Sequence, residues 1–160
     1  MAVWAGLAPT KEGRCLLPRD DRRPADVFIP YWAAGGRDAA LDVTVINPLQ
    51  AATLTGAAST PGHALFYAYT RKMRGAEEDC MRQGIAFLPL AVESFGGWNG
   101  GAERDVKKIN AALARHTGQE EDQACRHSWG RLGILLQRGN AAFLGNRVPI
   151  HPPPDVIGEQ

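Results

Sequence analysis

Acidic residues interrupt or flank three apolar segments of this sequence. Asp26 begins "DVFIPYW", Asp42 lies inside "AALDVTVINP", and Glu93 ends "IAFLPLAVE". An ionised carboxylate is costly to bury unless it is paired or binds a metal ion. Two carboxylates that converge from neighbouring strands form a hard-oxygen site for Mg²⁺ or Mn²⁺. Such an ion lowers the pKa of a bound water and neutralises charge on a phosphate, so these residue types suit phosphodiester hydrolysis.

Basic residues that suit the same chemistry lie in "YTRKMRG", which supplies Arg71, Lys72 and Arg74. A lysine near a metal site can stabilise developing negative charge or orient a water molecule. Spacing alone leaves a second interpretation of Asp42 open, as a structural acid bonded to a nearby arginine. The candidate partners for that interpretation are Arg22, Arg23 and Arg37.

The elements that must position these residues follow from the apolar patterning. Two apolar strands flank the turn-forming segment "AAGGRDAA" and predict an antiparallel hairpin that spans Asp26 to Asp42. Thr60 and Pro61 predict a helix start, and Gly84 a helix stop. The predicted elements are strands 25–32 and 41–47, a helix from 61 to 84, a strand 85–95, and helices 102–118 and 119–147. This β-β-α-β-α-α order predicts an α/β domain with a mixed central sheet and flanking helices.

Composition sets limits on the class of protein. The 160 residues fit one domain, and 18 basic against 17 acidic residues give a net charge of +1, which offers no global electrostatic argument for nucleic acid. No apolar run has the length of a membrane span, so no membrane partner is expected. The three cysteines, Cys15, Cys80 and Cys125, form no CxxC pair, which favours reduced thiols in an intracellular protein over a structural zinc site.

Several stretches together resemble a known nuclease family. They are "RRPADVFIP", "ALDVTVINPLQ" and "TPGHALFYAYTRKMRGAEEDCMRQGIAFLPLAVESFGGW". They are similar to the restriction-like endonuclease region that follows the reverse transcriptase in some non-LTR retrotransposon polyproteins, a branch of the PD-(D/E)XK nuclease superfamily. The resemblance covers roughly residues 22–98, and "RLGILLQRGNAAFLGNR" resembles the segment that follows in related reading frames.

The resemblance implies a restriction-endonuclease-like core, β-β-α-β followed by C-terminal helices. The segment before the hairpin has room for one strand but hardly for a complete helix, so the N-terminal core helix of the superfamily is expected to be missing. The implied division is an N-terminal segment 1–22, a nuclease domain 23–147 and a flexible proline-rich tail 148–160.

Motif matching assigns the metal ligands that the resemblance implies. Asp26 corresponds to the first metal-binding aspartate, although Ala25 separates it from Pro24. Asp42 corresponds to the second acid, and the backbone carbonyl of Val43 to a further ligand of Mg²⁺ or Mn²⁺.

The superfamily lysine is the main departure from the motif, because Thr44 occupies its position. In retrotransposon members a lysine from the following helix often replaces it, which implies Lys72 as the catalytic cation, with Arg71 as its rival. Thr44, Glu93, Arg71 and His63 are auxiliary candidates. For Glu93 the alternative is a cap on the loop amides of Gly96 and Gly97, and for His63 it is a structural role.

The function implied by the resemblance is metal-dependent nicking of DNA by a retrotransposon-derived endonuclease. The implied partners are DNA and an upstream reverse-transcriptase region, and the implied location is intracellular and nuclear. Basic residues expected to contact the DNA backbone are Arg71, Arg74, Lys107 and Lys108. Two alternatives stay open: a catalytically inactive DNA-binding or interaction module, and a degenerate fragment that keeps the fold.

Overall fold

A computed structural model describes residue 2 and residues 5–11 and 25–146 of the chain. The predictions about Cys15, Arg22, Arg23 and the tail 148–160 lie outside these residues. The described elements confirm an α/β class with a four-stranded mixed sheet and flanking helices.

The sheet follows the chain order of its strands. Its strands are β1 (Thr10–Lys11), β2 (Val27–Ala33), β3 (Arg37–Ile46) and β4 (Ala86–Glu93), and they lie side by side in that order. β1 pairs with β2 and β2 with β3 in antiparallel fashion, whereas β3 and β4 are parallel. A parallel pair needs a crossover connection, and here the crossover contains two helices.

The helices connect and cover these strands. Helices α1 (Leu54–Ser59) and α2 (His63–Arg82) form the crossover, and α3 (Gly100–Thr117) and α4 (Glu121–Gly145) follow β4. Among the described residues, no helix combines the length and the apolar character needed to cross a membrane.

The β2–β3 hairpin was predicted, but β3 begins four residues earlier than expected. A short 3₁₀ turn, Ala34–Gly36, joins the strands, and Gly35 and Gly36 there have positive φ angles of 74° and 71°. β3 begins at Arg37 because Ala39 and Ala40, which carry little apolar signal in the sequence, are fully buried within the sheet.

The crossover differs from the sequence prediction at its start. Helix α2 begins at His63, after Gly62 in the left-handed conformation (φ 76°), and not at Pro61 with Thr60 as its cap. Helix α1 was not predicted. The fully buried Thr53 precedes it and donates its hydroxyl hydrogen bond to the carbonyl of Pro48 at 3.1 Å, which holds the turn after β3. The predicted stop at Gly84 is confirmed, since α2 ends at Arg82.

Helices α2 and α3 pack on opposite faces of the sheet. Successive side chains of a strand point to opposite faces of the sheet. Alternate residues of β3 therefore contact different helices. Facing α2, Ala40 joins a buried cluster with Cys80 and Phe87. Facing α3, Leu41 joins a buried cluster with Ile109.

The C-terminal helices lie close to their predicted bounds. Helix α3 ends at Thr117, and Gly118 follows with φ 70°, as a left-handed C-terminal glycine should. Helix α4 packs on α3 through Ala124, which is fully buried against Ala112 and Leu113.

Candidate active site

The two candidate aspartates lie near the open end of the β2–β3 hairpin, where Asp26 immediately precedes β2 and Asp42 lies within β3. Val27 pairs with Leu41 and Phe28 with Ala40 in the antiparallel register. Asp26 precedes Val27 and Asp42 follows Leu41 in the chain, so the hairpin brings the two carboxylates close together.

The Asp26 carboxylate also binds the backbone of β3. Its Oδ2 accepts a hydrogen bond of 2.7 Å from the amide of Val43, which is part of the peptide group between Asp42 and Val43. In an antiparallel pair the amide and carbonyl of a residue face the same neighbouring strand. The Val43 carbonyl therefore faces the Asp26 side, at an edge where β3 extends past the first residue of β2, Val27.

Lys72 reaches Asp42 from helix α2. The lysine Nζ lies 2.6 Å from Asp42 Oδ2, and the two side chains are 31% and 12% exposed, respectively. Lys72 continues a row of side chains spaced four residues apart, which lie on one face of a helix. The other members of this row face the sheet and are buried or half-buried: Ala64, Ala68, Ala76 and Cys80. In the sequence, a lysine within a row of small apolar residues spaced four apart indicates that Lys72 faces the sheet.

The candidate site carries more negative than positive charge. Two carboxylates, Asp26 and Asp42, are near one ammonium group, that of Lys72. Among the described residues, no three acidic, histidine or cysteine side chains are grouped closely enough to hold a metal ion. Mg²⁺ commonly binds through one or two carboxylates and takes its other ligands from water and substrate phosphates. Two carboxylates beside an edge carbonyl therefore fit this ion.

Thr44 and Arg71 lie beside these residues. Thr44 is two residues beyond Asp42 on the same face of β3, where it is half-buried opposite Ala91 of β4. Arg71 is exposed on α2, whereas its neighbour Lys72 reaches the sheet. Of the two cations considered for the catalytic position, it is Lys72 that contacts Asp42.

His63 and Glu93 lie away from the aspartate pair. The His63 imidazole packs so closely on Gly56 of α1 that a Cβ there would clash with it. Glu93 pairs with Ile46, four residues along β3 from Asp42 and about 13 Å away at the usual strand rise. Main-chain hydrogen bonds, from Gly96 to the Glu93 carbonyl and from Glu93 to the Gly97 carbonyl, hold the loop after β4.

The four residues predicted to contact the DNA backbone lie in two separate layers. Arg71 and Arg74 are exposed on α2, whereas Lys107 and Lys108 are exposed on α3, on the other side of the sheet. Lys108 also pairs with Asp105 at 3.4 Å. Only the α2 pair shares a helix with Lys72.

The buried Cys80 is poorly placed to act as a nucleophile. Cys80 and Cys125 are both free thiols. Burial, and then the nearby charge of Asp79, raise the pKa of the Cys80 thiol. Because the thiolate is the reactive form, the buried Cys80 is suited to packing rather than to nucleophilic chemistry.

Comparisons of this chain with protein-family models, with curated proteins and with solved structures find no match. The case for a function therefore depends on the geometry of the chain's own residues.

One surface feature was missed in the sequence. Apolar side chains of α4 remain exposed beside the ends of β3 and β4 and line a groove of about 530 Å³. The signal was present in "GILLQRGNAAFLG", whose apolar residues outnumber those that one buried helix face can hold.

Proposed function

We propose that this chain is a Mg²⁺-dependent endonuclease that nicks DNA, with a restriction-endonuclease-like core derived from a retrotransposon. The observation that carries the proposal is a pair of contacts at neighbouring residues of β3: Lys72 binds the Asp42 carboxylate, and the Asp26 carboxylate binds the amide of Val43. Carboxylates on two neighbouring strands with a lysine beside them are the parts that metal-assisted phosphodiester hydrolysis requires.

The order of the strands supports the proposal. The antiparallel hairpin β2–β3 carries both aspartates, and the crossover through α2 to the parallel strand β4 supplies the lysine. This arrangement agrees with the β-β-α-β core that the family resemblance implies. The two-residue strand β1 adds one further strand before the hairpin.

In this proposal Asp26, Asp42 and the Val43 carbonyl would hold the ion. When bound, Mg²⁺ supplies Lewis-acid stabilisation of phosphate charge and a water of lowered pKa. The Lys72 ammonium, fixed by Asp42, donates hydrogen bonds to a phosphate oxygen and stabilises the charge that develops as water attacks phosphorus. Arg71 and Arg74, on the exposed side of the same helix, bind neighbouring backbone phosphates of the DNA.

The direct test is nicking of supercoiled plasmid in the presence of Mg²⁺. We expect the wild type to convert plasmid to the open-circular form and Asp42→Asn to lower the rate by about 100-fold or more, since a metal ion supplies several kcal/mol of transition-state stabilisation. The matched control is Asp38→Asn. Asp38 lies on the same strand, where its Oδ1 accepts the Tyr31 amide, and asparagine keeps that acceptor.

Nicking that depends on Mg²⁺, persists in Asp38→Asn and is lost in Asp42→Asn supports the proposal. Equal activity of wild type and Asp42→Asn contradicts it, because the nicking then comes from another site or from a contaminant.

A catalytically inactive DNA-binding or interaction module is the second candidate. The short Lys72–Asp42 contact favours it, since the lysine already neutralises the carboxylate that the ion needs. Tb³⁺ luminescence, with Mg²⁺ as competitor, distinguishes the two functions. A nuclease site binds Tb³⁺ in the wild type and loses it in Asp26→Asn, whereas an inactive module gives the same Tb³⁺ signal in both.

A further inference from the structure

The second half of helix α4 projects apolar side chains that the rest of the described chain leaves exposed. Ala124 and Ser128, in its first half, are buried. From Gly130 to the end of the helix every residue is exposed or half-buried. With 25 residues, α4 is about 37 Å long, which is about 10 Å longer than α3. The first half of α4 packs on α3.

These side chains and the adjoining strand ends form one continuous surface, which we call the α4 groove. Five of the large apolar residues that line it are 54–69% exposed: Val45, Phe95, Leu135, Phe143 and Leu144. A hydrogen bond of 2.7 Å from Asn140 Nδ2 to the Ser94 carbonyl fixes the helix against the loop after β4. The groove is therefore a formed surface and not the face of a detached helix.

We propose that the α4 groove is the interface of a homodimer, occupied by the same groove of a second copy of this chain. Its apolar area agrees with that assignment. About half of a large side chain's surface is roughly 100 Å², so five such residues offer roughly 500 Å². A standard interface buries about 800 Å² per partner, of which about 65% is apolar in homodimers, or about 520 Å².

The lack of charge in the groove also favours a second copy over a nucleic acid. The described residues that line the α4 groove include no charged side chain. A nucleic acid requires cationic contacts to its phosphates, so this groove is not suited to one. A two-fold interface brings identical surfaces together, and an uncharged surface meets its copy without like-charge repulsion or a buried unpaired ion.

The groove and the candidate active site are on different faces of β3. Val45 lines the groove three residues beyond Asp42, and an odd spacing in a strand places the two side chains on opposite faces. Dimerisation through the groove therefore leaves Asp42 accessible, and the dimer does not depend on the proposed nuclease function.

Sedimentation velocity or light scattering of the full chain tests the dimer. We expect the wild type to have twice the 17.3 kDa mass of one chain at tens of micromolar, with dissociation on dilution. Leu135→Glu should weaken association at least tenfold, because the two-fold axis places a carboxylate in the interface from each copy. The matched control is Leu54→Glu, on α1, where the leucine is 47% exposed outside the groove.

Circular dichroism checks that both variants fold. A wild type that keeps the mass of one chain up to 100 µM overturns the proposal. It is also overturned if Leu135→Glu and Leu54→Glu associate equally well, since the dimer then uses another surface.

Discussion

The ion pair between Asp42 and Lys72 is the feature on which both the stability of the site and its proposed chemistry depend. Asp42 is 8% exposed as a residue, and its side chain is within 2.6 Å of the lysine Nζ. Breaking a fully buried pair by removing one partner costs about 3–5 kcal/mol because a buried charge is left uncompensated. Lys72 is 31% exposed, so water screens part of this cost.

Lys72→Met should therefore destabilise the fold by about 1–3 kcal/mol, because it leaves the buried Asp42 carboxylate without its cation, close to the Asp26 carboxylate that binds the Val43 amide. Adding Asp42→Asn to this variant should recover part of the loss, since no buried charge then remains. Urea unfolding at pH 7 and a fixed protein concentration measures both changes.

Arg71→Met is the control for the loss of a cation from the same helix. Arg71 is exposed, and its replacement should change the free energy of unfolding by less than about 0.5 kcal/mol. Equal effects of Lys72→Met and Arg71→Met would mean that the short contact with Asp42 contributes nothing to stability.

At the scale of elements, the β2–β3 hairpin contains an irregularity that the sequence indicates only in part. The register shifts between Ile29 and Ala33, and Pro30 stands at this bulge, where proline is tolerated in a sheet. Tyr31 has a φ of 54°, a left-handed conformation that a non-glycine residue rarely adopts. Its amide donates to Asp38 Oδ1 at 2.9 Å, which holds the bulge closed.

Tyr31→Gly should leave the stability unchanged or raise it by up to about 1 kcal/mol. The left-handed conformation costs an ordinary residue about 1–2 kcal/mol, which exceeds or balances the entropy that glycine loses on folding. Tyr31 is 81% exposed as a residue, so removal of its side chain sacrifices little packing. Thermal unfolding followed by circular dichroism measures the change.

Arg37→Gly provides the comparison, because Arg37 is also exposed in the hairpin but has an ordinary extended φ of −73°. It should lower stability by about 0.5–1 kcal/mol. A loss of more than 1 kcal/mol in Tyr31→Gly would contradict the argument, since the tyrosine ring then contributes more than its conformation costs.

The sequence predicted the bounds of an element correctly where neighbouring residues in the chain determine them. Gly118 and Gly84 marked helix ends correctly because a left-handed residue after a helix is a local requirement. The start of β3 was missed because Ala39 and Ala40 are buried by their neighbours in the sheet and not by their own hydrophobicity. Helix α1, six residues long, has too few residues to show a helical period.

At the scale of the whole molecule, the candidate site could be anticipated from sequence only in its parts. Spacing identified Asp26 and Asp42 as acids on a hairpin, but the family resemblance was needed to select Lys72. The contact of Lys72 with Asp42 arises from the crossover of α2 over the sheet, which joins residues 30 positions apart. The α4 groove depends in the same way on tertiary contacts, since a sequence does not show which apolar residues stay uncovered.

The two helical layers also differ in how their buried polar groups are bonded. In the crossover, the hydroxyl of the fully buried Thr53 donates to the carbonyl of Pro48. In α3, Asn110 is 0% exposed, and both polar atoms of its side chain lack a hydrogen-bond partner within the described part of the chain. A buried polar group without a partner costs about 1–3 kcal/mol.

Asn110→Leu should therefore raise stability, because leucine has the same branching and no polar atoms to desolvate. We expect a gain of about 1 kcal/mol, or about 2–4 °C in Tm for a chain of this size, by calorimetry. Thr53→Val, also a change of equal branching, should instead lower Tm, since it removes a hydrogen bond that is satisfied. A lower Tm for Asn110→Leu would show that the amide is bonded in the folded protein, and the α3 layer would then be held by a polar contact at residue 110.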